Sequence, residues 1–505
     1  MIYFLKNSYN ILKNKSIIIS FIVFIGLTLQ VTYLSAQENN LPDMGSPADA
    51  VLSKTEEAKI GRAIMQQIRA SGTFVEDPQV NEYINEIGHR LSAQANSGEY
   101  KFSFFVINDN SINAFALPGG YIGVHTGLLL ATRNEDELAS VLAHEIAHVT
   151  QRHIARAVHA GQRQSILTTA IMLGAIIAGA AGAGSDAVQG AMAVAQGAQA
   201  QQQINFTRTN EYEADRIGIS ALAQAGFNPH GMASFFEVIS KKTALSASRI
   251  PEFLKTHPIS SARISEARNR AKAYSNRMPQ DTHNYGITKS RLLVSSQRTI
   301  EDAIDLFEIQ NYQNQSDEKK YGRALAYQRA GQHKKANQIF EELLNRDHKI
   351  IAYHIGLAES QLNLELINEA KDTFDRAMEL FPRNIPLVIH YAEALLRLNN
   401  ALLAHEILLD LLNNIPPTPE QVRLISRAAI EADNPAEAHY YMAEYRFMIG
   451  DLMGGVNFLQ RALALPNIEE IQRIRFEARI DFVKEFMSKD QLKQMGRNNP
   501  SKDRS

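Results

Sequence analysis

Apolar and polar positions recur at helical spacing between residues 53 and 97. In the second half of this stretch, one face collects apolar side chains and the opposite face is polar. The apolar face consists of Val80, Tyr83, Ile84, Ile87 and Leu91. The pattern predicts two amphipathic helices, of which the second packs on a core through this face.

The period changes near residue 102, where short β-branched and aromatic runs begin. Runs at 102–107, 113–117 and 120–125 are separated by Asn, Asp, Pro and Gly residues. This arrangement is typical of strands joined by turns. The pair Gly119 and Gly120 predicts a tight reversal between the last two strands. A small sheet is therefore expected.

A helix is predicted directly after this sheet. It begins near Asn134, where three acidic residues suit the positive end of a helix, and it continues to about Val158. A further helix is predicted in the segment that ends at Gly226, with Pro229 beyond it. After about residue 280 the pattern is wholly helical.

Alanine recurs at a constant interval in the C-terminal part, at Ala336, Ala370, Ala404 and Ala438. Large apolar residues follow the first three alanines after one turn, and prolines end two of the units; these are Phe340, Phe374, Leu408, Pro382 and Pro416. Stacked helical hairpins need this pattern, and the interval of about 34 residues resembles the tetratricopeptide repeat. Chance recurrence of alanine is the alternative. The last unit fits better if counted afresh from Gly450, and a capping helix is predicted after it.

Composition limits the classes of function. A chain of 505 residues should divide into two or more domains. Its net charge is −2 with 21% charged residues. This balance has no basic bias, so no nucleic-acid partner is expected. Because the chain has no cysteine, any metal ion must be held by His, Asp or Glu.

The N-terminus resembles a secretory signal. Three lysines precede an apolar run from Ile17 to Leu29, and small residues follow at Ser35 and Ala36. This order predicts a signal peptide of residues 1–36, cleaved after Ala36. An uncleaved membrane anchor is the alternative, whereas a lipid anchor on cysteine is excluded.

A segment rich in Ala, Gly and Gln runs from residue 165 to 203. It includes the run ILTTAIMLGAIIAGAAGAG, which is apolar for about the length of a thin bilayer crossing, but the many glycines and the flanking Gln-rich tract argue against a stable membrane span. We expect a cover beside the functional site, and a peripheral contact with the membrane is the weaker alternative.

The predicted helix from Asn134 carries the motif HEIAH. His144 and His148 are one turn apart on the same face, so both imidazoles can reach one zinc ion. Glu145 lies next to the first histidine, where it can take a proton from water. A solvated helix that happens to carry these residues is the alternative.

A catalytic zinc needs a third protein ligand. Gln151 and Ile154 stand where one familiar extension of the motif would need Gly and His. His153 is about half a turn out of phase, so we expect it to face away at the surface.

The better candidate is Glu211 in the segment NEYEADRIG. Asp215 is one turn later on the same face and can accept a hydrogen bond that orients a ligand imidazole. Glu213 should point elsewhere. A solvated acidic turn is the alternative here.

Three motifs, HEIAH, EYEAD and THPISSARI, combined with an upstream sheet and downstream repeats, resemble the M48 family of zinc peptidases. The resemblance implies that His144, His148 and Glu211 bind one zinc ion, that Glu145 is the base and that Asp215 supports a ligand. It also singles out His257, which can fill the fourth zinc position in a resting state. Arg263 matches the same motif, but no firm role follows for it.

The resemblance further implies an α+β fold: a mainly helical zincin (gluzincin-like) protease domain with a small β-sheet, followed by an all-α tetratricopeptide-repeat domain. The expected divisions are a signal peptide at 1–36, a protease domain at 37–275, a helical linker at 276–310, a repeat domain with its capping helix at 311–487, and a polar tail at 488–505.

The family resemblance is strongest to periplasmic members, which implies a location in the periplasm. Their clients imply unfolded or stalled outer-membrane β-barrel proteins as substrates, and docking of the repeats on the barrel assembly machinery. Substrate is expected to pair as an extended chain with strand 113–117 or 120–125. A repeat-based chaperone or scaffold with a closed zinc site is the alternative function.

Overall fold

The computed structural model describes residues 52–95, 100–161, 208–245, 251–274, 282–308, 315–487 and 491–492. The predicted signal peptide, the Ala/Gly/Gln-rich segment 165–203 and nearly all of the predicted C-terminal tail lie outside these ranges. Among the described residues, no helix combines the length and the apolar character that a membrane crossing requires.

The N-terminal part consists of helices around one small sheet. Its elements are α1 (Lys54–Ala70), α2 (Pro78–Ser92), β1 (Ser103–Ile107), β2 (Ala114–Leu117), β3 (Tyr121–His125), α3 (Thr126–Ala131), α4 (Glu135–Thr150), α5 (His153–Gly161), α6 (Arg208–Gln224), α7 (Gly231–Leu245), α8 (Glu252–Thr256) and α9 (Ser261–Ala271). The two predicted helices before residue 97 are confirmed. The apolar face predicted for the second is buried throughout.

The sheet has three strands in the order β1-β3-β2. β1 is parallel to β3, whereas β2 is antiparallel to it. Gly119 and Gly120 adopt φ angles of +84° and +90° in the predicted reversal. This backbone region favours glycine. Because β3 is paired on both sides, the alternative that substrate pairs with 120–125 is wrong, and of the two candidate segments β2 is the one that lies at an edge of the described sheet.

The HEIAH helix is shorter than predicted. The Asn134 side chain accepts a hydrogen bond from the backbone of Glu137 and caps α4 at its predicted start. The helix ends at Thr150, and Arg152 then adopts a φ of +54°. No α-helix continues through such a backbone angle. The chain resumes as α5 in a new direction, and the prediction of one helix to about Val158 is wrong.

Helix α4 lies at the centre of the N-terminal part, and its residues from Glu135 to Val149 are all buried. Leu138, Leu142 and Ile146 belong to one apolar core that also includes residues of α2, the sheet, α6 and α7. A helix that is surrounded on all sides positions its polar side chains rigidly, which a metal site requires.

The C-terminal part is entirely helical in its described residues. Its elements are α10 (His283–Ser296), α11 (Ile300–Glu308), α12 (Asp317–Arg329), α13 (His333–Arg346), α14 (Ile351–Asn363), α15 (Ile367–Leu380), α16 (Ile385–Arg397), α17 (Ala401–Asn414), α18 (Pro419–Glu431), α19 (Pro435–Met448), α20 (Leu452–Leu463) and α21 (Glu470–Lys484). The mainly helical fold with a small sheet and downstream repeats is thereby confirmed.

The predicted repeat is confirmed by burial. Ala336, Ala370 and Ala404 have no solvent exposure, and the large residues one turn later fill the space between the helices. Phe374, for instance, stacks on Tyr391 with ring centroids 4.7 Å apart. Gly450, with a φ of +86°, makes the turn between α19 and α20 at the predicted change of phase.

The peptidase part and the repeats pack against each other, and the described residues belong to one compact unit. Helix α10 joins them: Tyr285 donates a hydrogen bond to the backbone carbonyl of Thr132, while Ser290 donates to that of Glu318 in α12. Arg69 of α1 also pairs with Glu420 of α18 at 2.7 Å. The residues predicted as a linker thus include a helix that packs on both parts.

Candidate active site

Three elements bring four candidate metal ligands together. Helix α4 supplies His144 and His148, α6 supplies Glu211, and His257 follows α8 directly. One ligand atom from each of these residues lies within 4.8 Å of every other, and all four side chains are buried. The four residues singled out in the sequence are therefore neighbours in space.

The spacing of these atoms suits a zinc ion. His144 Nε2 is 3.0 Å from His148 Nε2, 3.2 Å from His257 Nδ1 and 3.5 Å from Glu211 Oε2. His148 Nε2 and His257 Nδ1 are 3.5 Å and 3.2 Å from Glu211 Oε1. Ligands at about 2.1 Å around a tetrahedral zinc are separated by about 3.4 Å. The donor set and its spacing both fit this ion.

Helix α6 reaches the site because Gly218 allows it to approach α4 closely. A Cβ atom at this position would lie 3.2 Å from the backbone of both Ala143 and His144. That distance is tighter than ordinary van der Waals contact, so a larger residue would push the two helices apart. Close approach of α6 to α4 is what places Glu211 beside the two histidines.

Glu145 is buried beside the four candidate ligands. Burial raises the pKa of its carboxyl, although the neighbouring His257 and a hydrogen bond from the backbone N–H of Ala116 work in the opposite direction. Its Oε1 atom lies 3.4 Å from His257 Nε2 and has no hydrogen-bond partner among the described residues. The carboxylate thus faces the outer edge of β2 on one side and His257 on the other.

A buried ion-pair network supports the ligands from α6 and α9. His144 Nδ1 is 2.9 Å from Asp215 Oδ1. Arg263 donates from Nε and Nη2 to the two oxygens of Asp215, each at 2.7 Å, and its Nη1 is 2.8 Å from Glu211 Oε2. The Arg263 fork therefore fixes both carboxylates in orientation. Sequence reasoning assigned Arg263 no role, since its distance from α6 along the chain concealed this contact.

Opposite charges shift the protonation of this network. Burial disfavours the charged form of His144, but its hydrogen bonds with Asp215 and Glu211 outweigh burial and raise its pKa to about 9. Burial likewise opposes ionisation of Glu211, yet the surrounding histidines hold its pKa well below the usual range. Burial and the proximity of His144 hold the pKa of His148 well below its usual value.

The prediction that His153 faces away at the surface is wrong. Its side chain has no solvent exposure, and its Nδ1 lies 2.8 Å from His148 Nδ1. The helical phase used for the prediction fails because the chain breaks at Arg152, which turns His153 back toward α4. Glu213 does point away from the four candidate ligands, and it contacts His153 and Arg156 instead.

Comparison with known proteins finds the same two modules. The profile of peptidase family M48 matches residues 78–271, and that of the tetratricopeptide repeat matches residues 320–347. The β-barrel assembly-enhancing protease of Escherichia coli K12 is 34% identical over 462 residues, which cover 89% of this chain and 92% of the relative.

Two further relatives extend this comparison. The β-barrel assembly-enhancing protease of Yersinia pestis is 33% identical over 447 residues, covering 87% of this chain and 91% of the relative. The mitochondrial metalloendopeptidase OMA1 of Schizosaccharomyces pombe is 31% identical over 182 residues, 36% of this chain and 50% of that protein. The similarity thus extends over nearly the whole chain for the bacterial relatives and over part of it for the mitochondrial one.

Proposed function

The chain belongs to peptidase family M48 and is a zinc metalloendopeptidase, and we propose that His144, His148 and Glu211 bind its zinc ion while Glu145 acts as the general base. The observation that carries this assignment is the convergence of two histidines, one carboxylate and a buried, partnerless carboxylate oxygen in one site of the described chain. The spacing of the ligand atoms supports a tetrahedral zinc.

Bound zinc supplies a Lewis acid that polarises the scissile carbonyl and activates a water molecule. Glu145 is placed to take the proton of the attacking water and to return it to the leaving amine. Burial raises the pKa of the Glu145 carboxyl and so favours its protonated form, which is the form that donates a proton to the leaving amine. Asp215 and Arg263 hold His144 and Glu211 in the orientation that this chemistry needs.

Strand β2 is the proposed place where substrate binds. It is an edge of the described sheet, and the backbone N–H of Ala116 reaches the Glu145 carboxylate. An extended peptide that pairs with this edge places its carbonyl groups beside the base, and main-chain pairing requires no particular side chain. Such a site suits unfolded segments of many sequences.

His257 is the proposed plug of the resting enzyme. Its Nδ1 stands among the atoms of the three zinc ligands, and its Nε2 is 3.4 Å from Glu145. An imidazole in this position competes with the water that hydrolysis consumes. This geometry also supports the second candidate function, a repeat-based chaperone whose zinc site is normally closed.

We further propose that the protein works in the periplasm on outer-membrane β-barrel proteins that are unfolded or stalled, and that its repeats dock on the barrel assembly machinery. The names of the bacterial relatives support this client class. The stacked helical hairpins supply a surface suited to protein partners. The division into a signal peptide at 1–36, a protease domain at 37–275, a linker at 276–310, repeats at 311–487 and a tail at 488–505 is part of this proposal.

Digestion of an unfolded β-barrel protein tests the assignment. Glu145→Gln removes the base but keeps the shape of the side chain, so we expect bound zinc to remain near one per chain and cleavage to disappear. Glu406→Gln, at an exposed position of α17, is the matched control and should cleave like the parent. Full cleavage by Glu145→Gln would show that the base is wrongly assigned.

Zinc in all three proteins with no cleavage by any of them would favour the chaperone. Suppression of client aggregation would then be the measured activity, and it should be independent of Glu145.

A further inference from the structure

His148 has a hydrogen-bonding partner of a different kind from that of His144. Both histidines direct Nε2 toward the other candidate ligands, and both direct Nδ1 away from them. The Nδ1 atom of His144 meets the carboxylate of Asp215, whereas the Nδ1 atom of His148 meets the imidazole of His153 at 2.8 Å. His153 then continues to Glu213, with Nε2 3.2 Å from Oε2.

The direction of these hydrogen bonds follows from zinc binding. An imidazole that binds a metal through Nε2 keeps its proton on Nδ1, so His148 must be the donor to His153. His153 Nδ1 is then the acceptor, which leaves its own proton on Nε2. That proton is donated to Glu213, a carboxylate that only accepts. Each nitrogen and oxygen atom in this series of hydrogen bonds is then either a donor or an acceptor, without conflict.

We propose that His153 is a positioning residue for zinc: it fixes the tautomer and ring orientation of His148 and links this ligand to Glu213 of helix α6. The inference rests on the proposed function, since it takes His148 as a zinc ligand. Glu211 is two residues before Glu213 on the same helix. The link therefore ties together the two helices that supply the three ligands.

The helix is interrupted after α4 at the position that the contact between His153 and His148 requires. Arg152, with its φ of +54°, turns the chain so that the next side chain returns to His148. The Arg152 guanidinium donates to the backbone carbonyl of Leu52 at 2.5 Å, which anchors the break to the start of the described chain. A side chain with a continuous helical phase could not make this contact.

The His153 imidazole also keeps the negative charge of Glu213 away from the proposed zinc site. Asp215 places a negative charge directly on His144, and Glu211 adds another among the candidate ligands. Glu213 is one imidazole further away, and Arg156 Nη1 pairs with it at 2.9 Å. The Glu213 carboxylate thus orients His148 through an imidazole and adds no further negative charge directly against the ligands, which limits like-charge repulsion in a buried site.

Two substitutions of His153 distinguish its hydrogen bond to His148 from its contribution to packing in the core. His153→Leu removes the acceptor and keeps an apolar side chain, whereas His153→Asn places an amide oxygen near the position of Nδ1. Zinc affinity is measured by competition with a chelator, starting from zinc-free protein. We expect His153→Leu to bind zinc about 10- to 100-fold more weakly, as is usual for loss of such a partner, and His153→Asn to stay within a few-fold of the parent.

Spectra and stability supply readouts that do not depend on cleavage. The absorption bands of the Co²⁺-substituted protein report ligand geometry, and we expect them to change in His153→Leu but not in His153→Asn. The zinc-free proteins should unfold at similar denaturant concentrations. His354→Leu, which removes a buried histidine of helix α14, controls for loss of an imidazole elsewhere and should leave zinc affinity unchanged.

Equal zinc affinity of His153→Leu and the parent would overturn the inference, and so would equal weakening by His153→Leu and His153→Asn. If His153→Leu does not fold, Glu213→Leu removes the acceptor of the His153 Nε2 proton at the partly exposed end of this hydrogen-bond series and should weaken zinc binding in the same direction. A parent protein that binds no zinc would instead refute the proposed function itself.

Discussion

The guanidinium of Arg291 donates two hydrogen bonds to one oxygen of Asp77, from Nε at 2.9 Å and from Nη2 at 2.5 Å. Asp77 is the N-cap of α2 in the peptidase part, and its other oxygen accepts from the backbone of Gln79 and Val80. Arg291 also donates to the hydroxyl of Tyr321 in the repeats. One arginine therefore connects the start of a core helix of the peptidase to the first repeat.

Replacing this arginine should destabilise the whole compact unit. Arg291→Leu leaves the carboxylate of Asp77 without its charged partner and removes the contact with Tyr321. We expect the free energy of unfolding to fall by about 2 kcal/mol, since a hydrogen bond to a charged group is worth that order of magnitude. Urea unfolding followed by circular dichroism measures the change.

The pair Arg383 and Asp410 is the matched control, because two hydrogen bonds also join this guanidinium to a carboxylate, but both side chains are about half exposed. Arg383→Leu should leave the unfolding midpoint unchanged, since solvent screens such a pair. Equal effects of the two substitutions would mean that Arg291 is not a structural connection.

The stability of the repeats should decline above neutral pH. Burial disfavours the charged form of His390, but the Glu359 carboxylate, 2.6 Å away, outweighs burial and raises its pKa above the usual value. Arg291 and Asp77 also act on it, with opposite signs. Because the folded pKa is higher than the unfolded one, this stabilisation is complete below about pH 6.5 and is lost as the pH rises through the folded pKa.

Melting temperatures of zinc-free protein between about pH 5.5 and 9 measure this effect without the pH dependence of metal binding. The parent should lose stability with rising pH more steeply than His390→Asn, and Glu359→Gln should flatten the dependence in the same way. Parallel curves for all three proteins would contradict the prediction.

The aromatic stack between repeats should account for a large part of their stability. Phe374 is 1% exposed and stacks on Tyr391. Phe374→Ala leaves a cavity that the surrounding helices fill only in part, and we expect a loss of about 3 kcal/mol in the free energy of unfolding. Phe482 is 50% exposed, and Phe482→Ala should change that free energy by less than about 0.5 kcal/mol. A small effect of Phe374→Ala would show that this interface repacks.

Removing the plug should activate the enzyme. His257→Ala keeps the three proposed zinc ligands and removes the imidazole that stands between them and Glu145. If the closed form outnumbers the open form by about nine to one, cleavage should rise about tenfold. Initial rates on a labelled unfolded substrate measure it, with zinc content determined in parallel. An unchanged rate at unchanged zinc content would argue against a plug.

Local patterns in the sequence were sufficient for most of the elements. Runs of β-branched and aromatic residues placed the three strands within one residue at each end, helical spacing placed the two helices before residue 97, and the regular recurrence of alanine located the repeats. These features depend on side chains that are near in sequence, where burial of one face decides the structure. The HEIAH motif is local in the same sense, since one helical turn brings His144 and His148 together.

Tertiary packing determined several contacts that the helical or strand periodicity of a single segment could not predict. The sheet order excluded 120–125 as an edge, because β3 lies between β1 and β2. The sequence could not predict this order, since neither strand carries a local pattern that indicates the parallel pairing of β1 with β3. The left-handed turn at Arg152 returned His153 to the site against its helical phase. Arg263 met Glu211 and Asp215, which are far from it along the chain. The order of residues specified the chemistry that the chain carries, whereas the packing of α4, α6 and α9 selected the side chains that support it, because those contacts join residues distant in sequence.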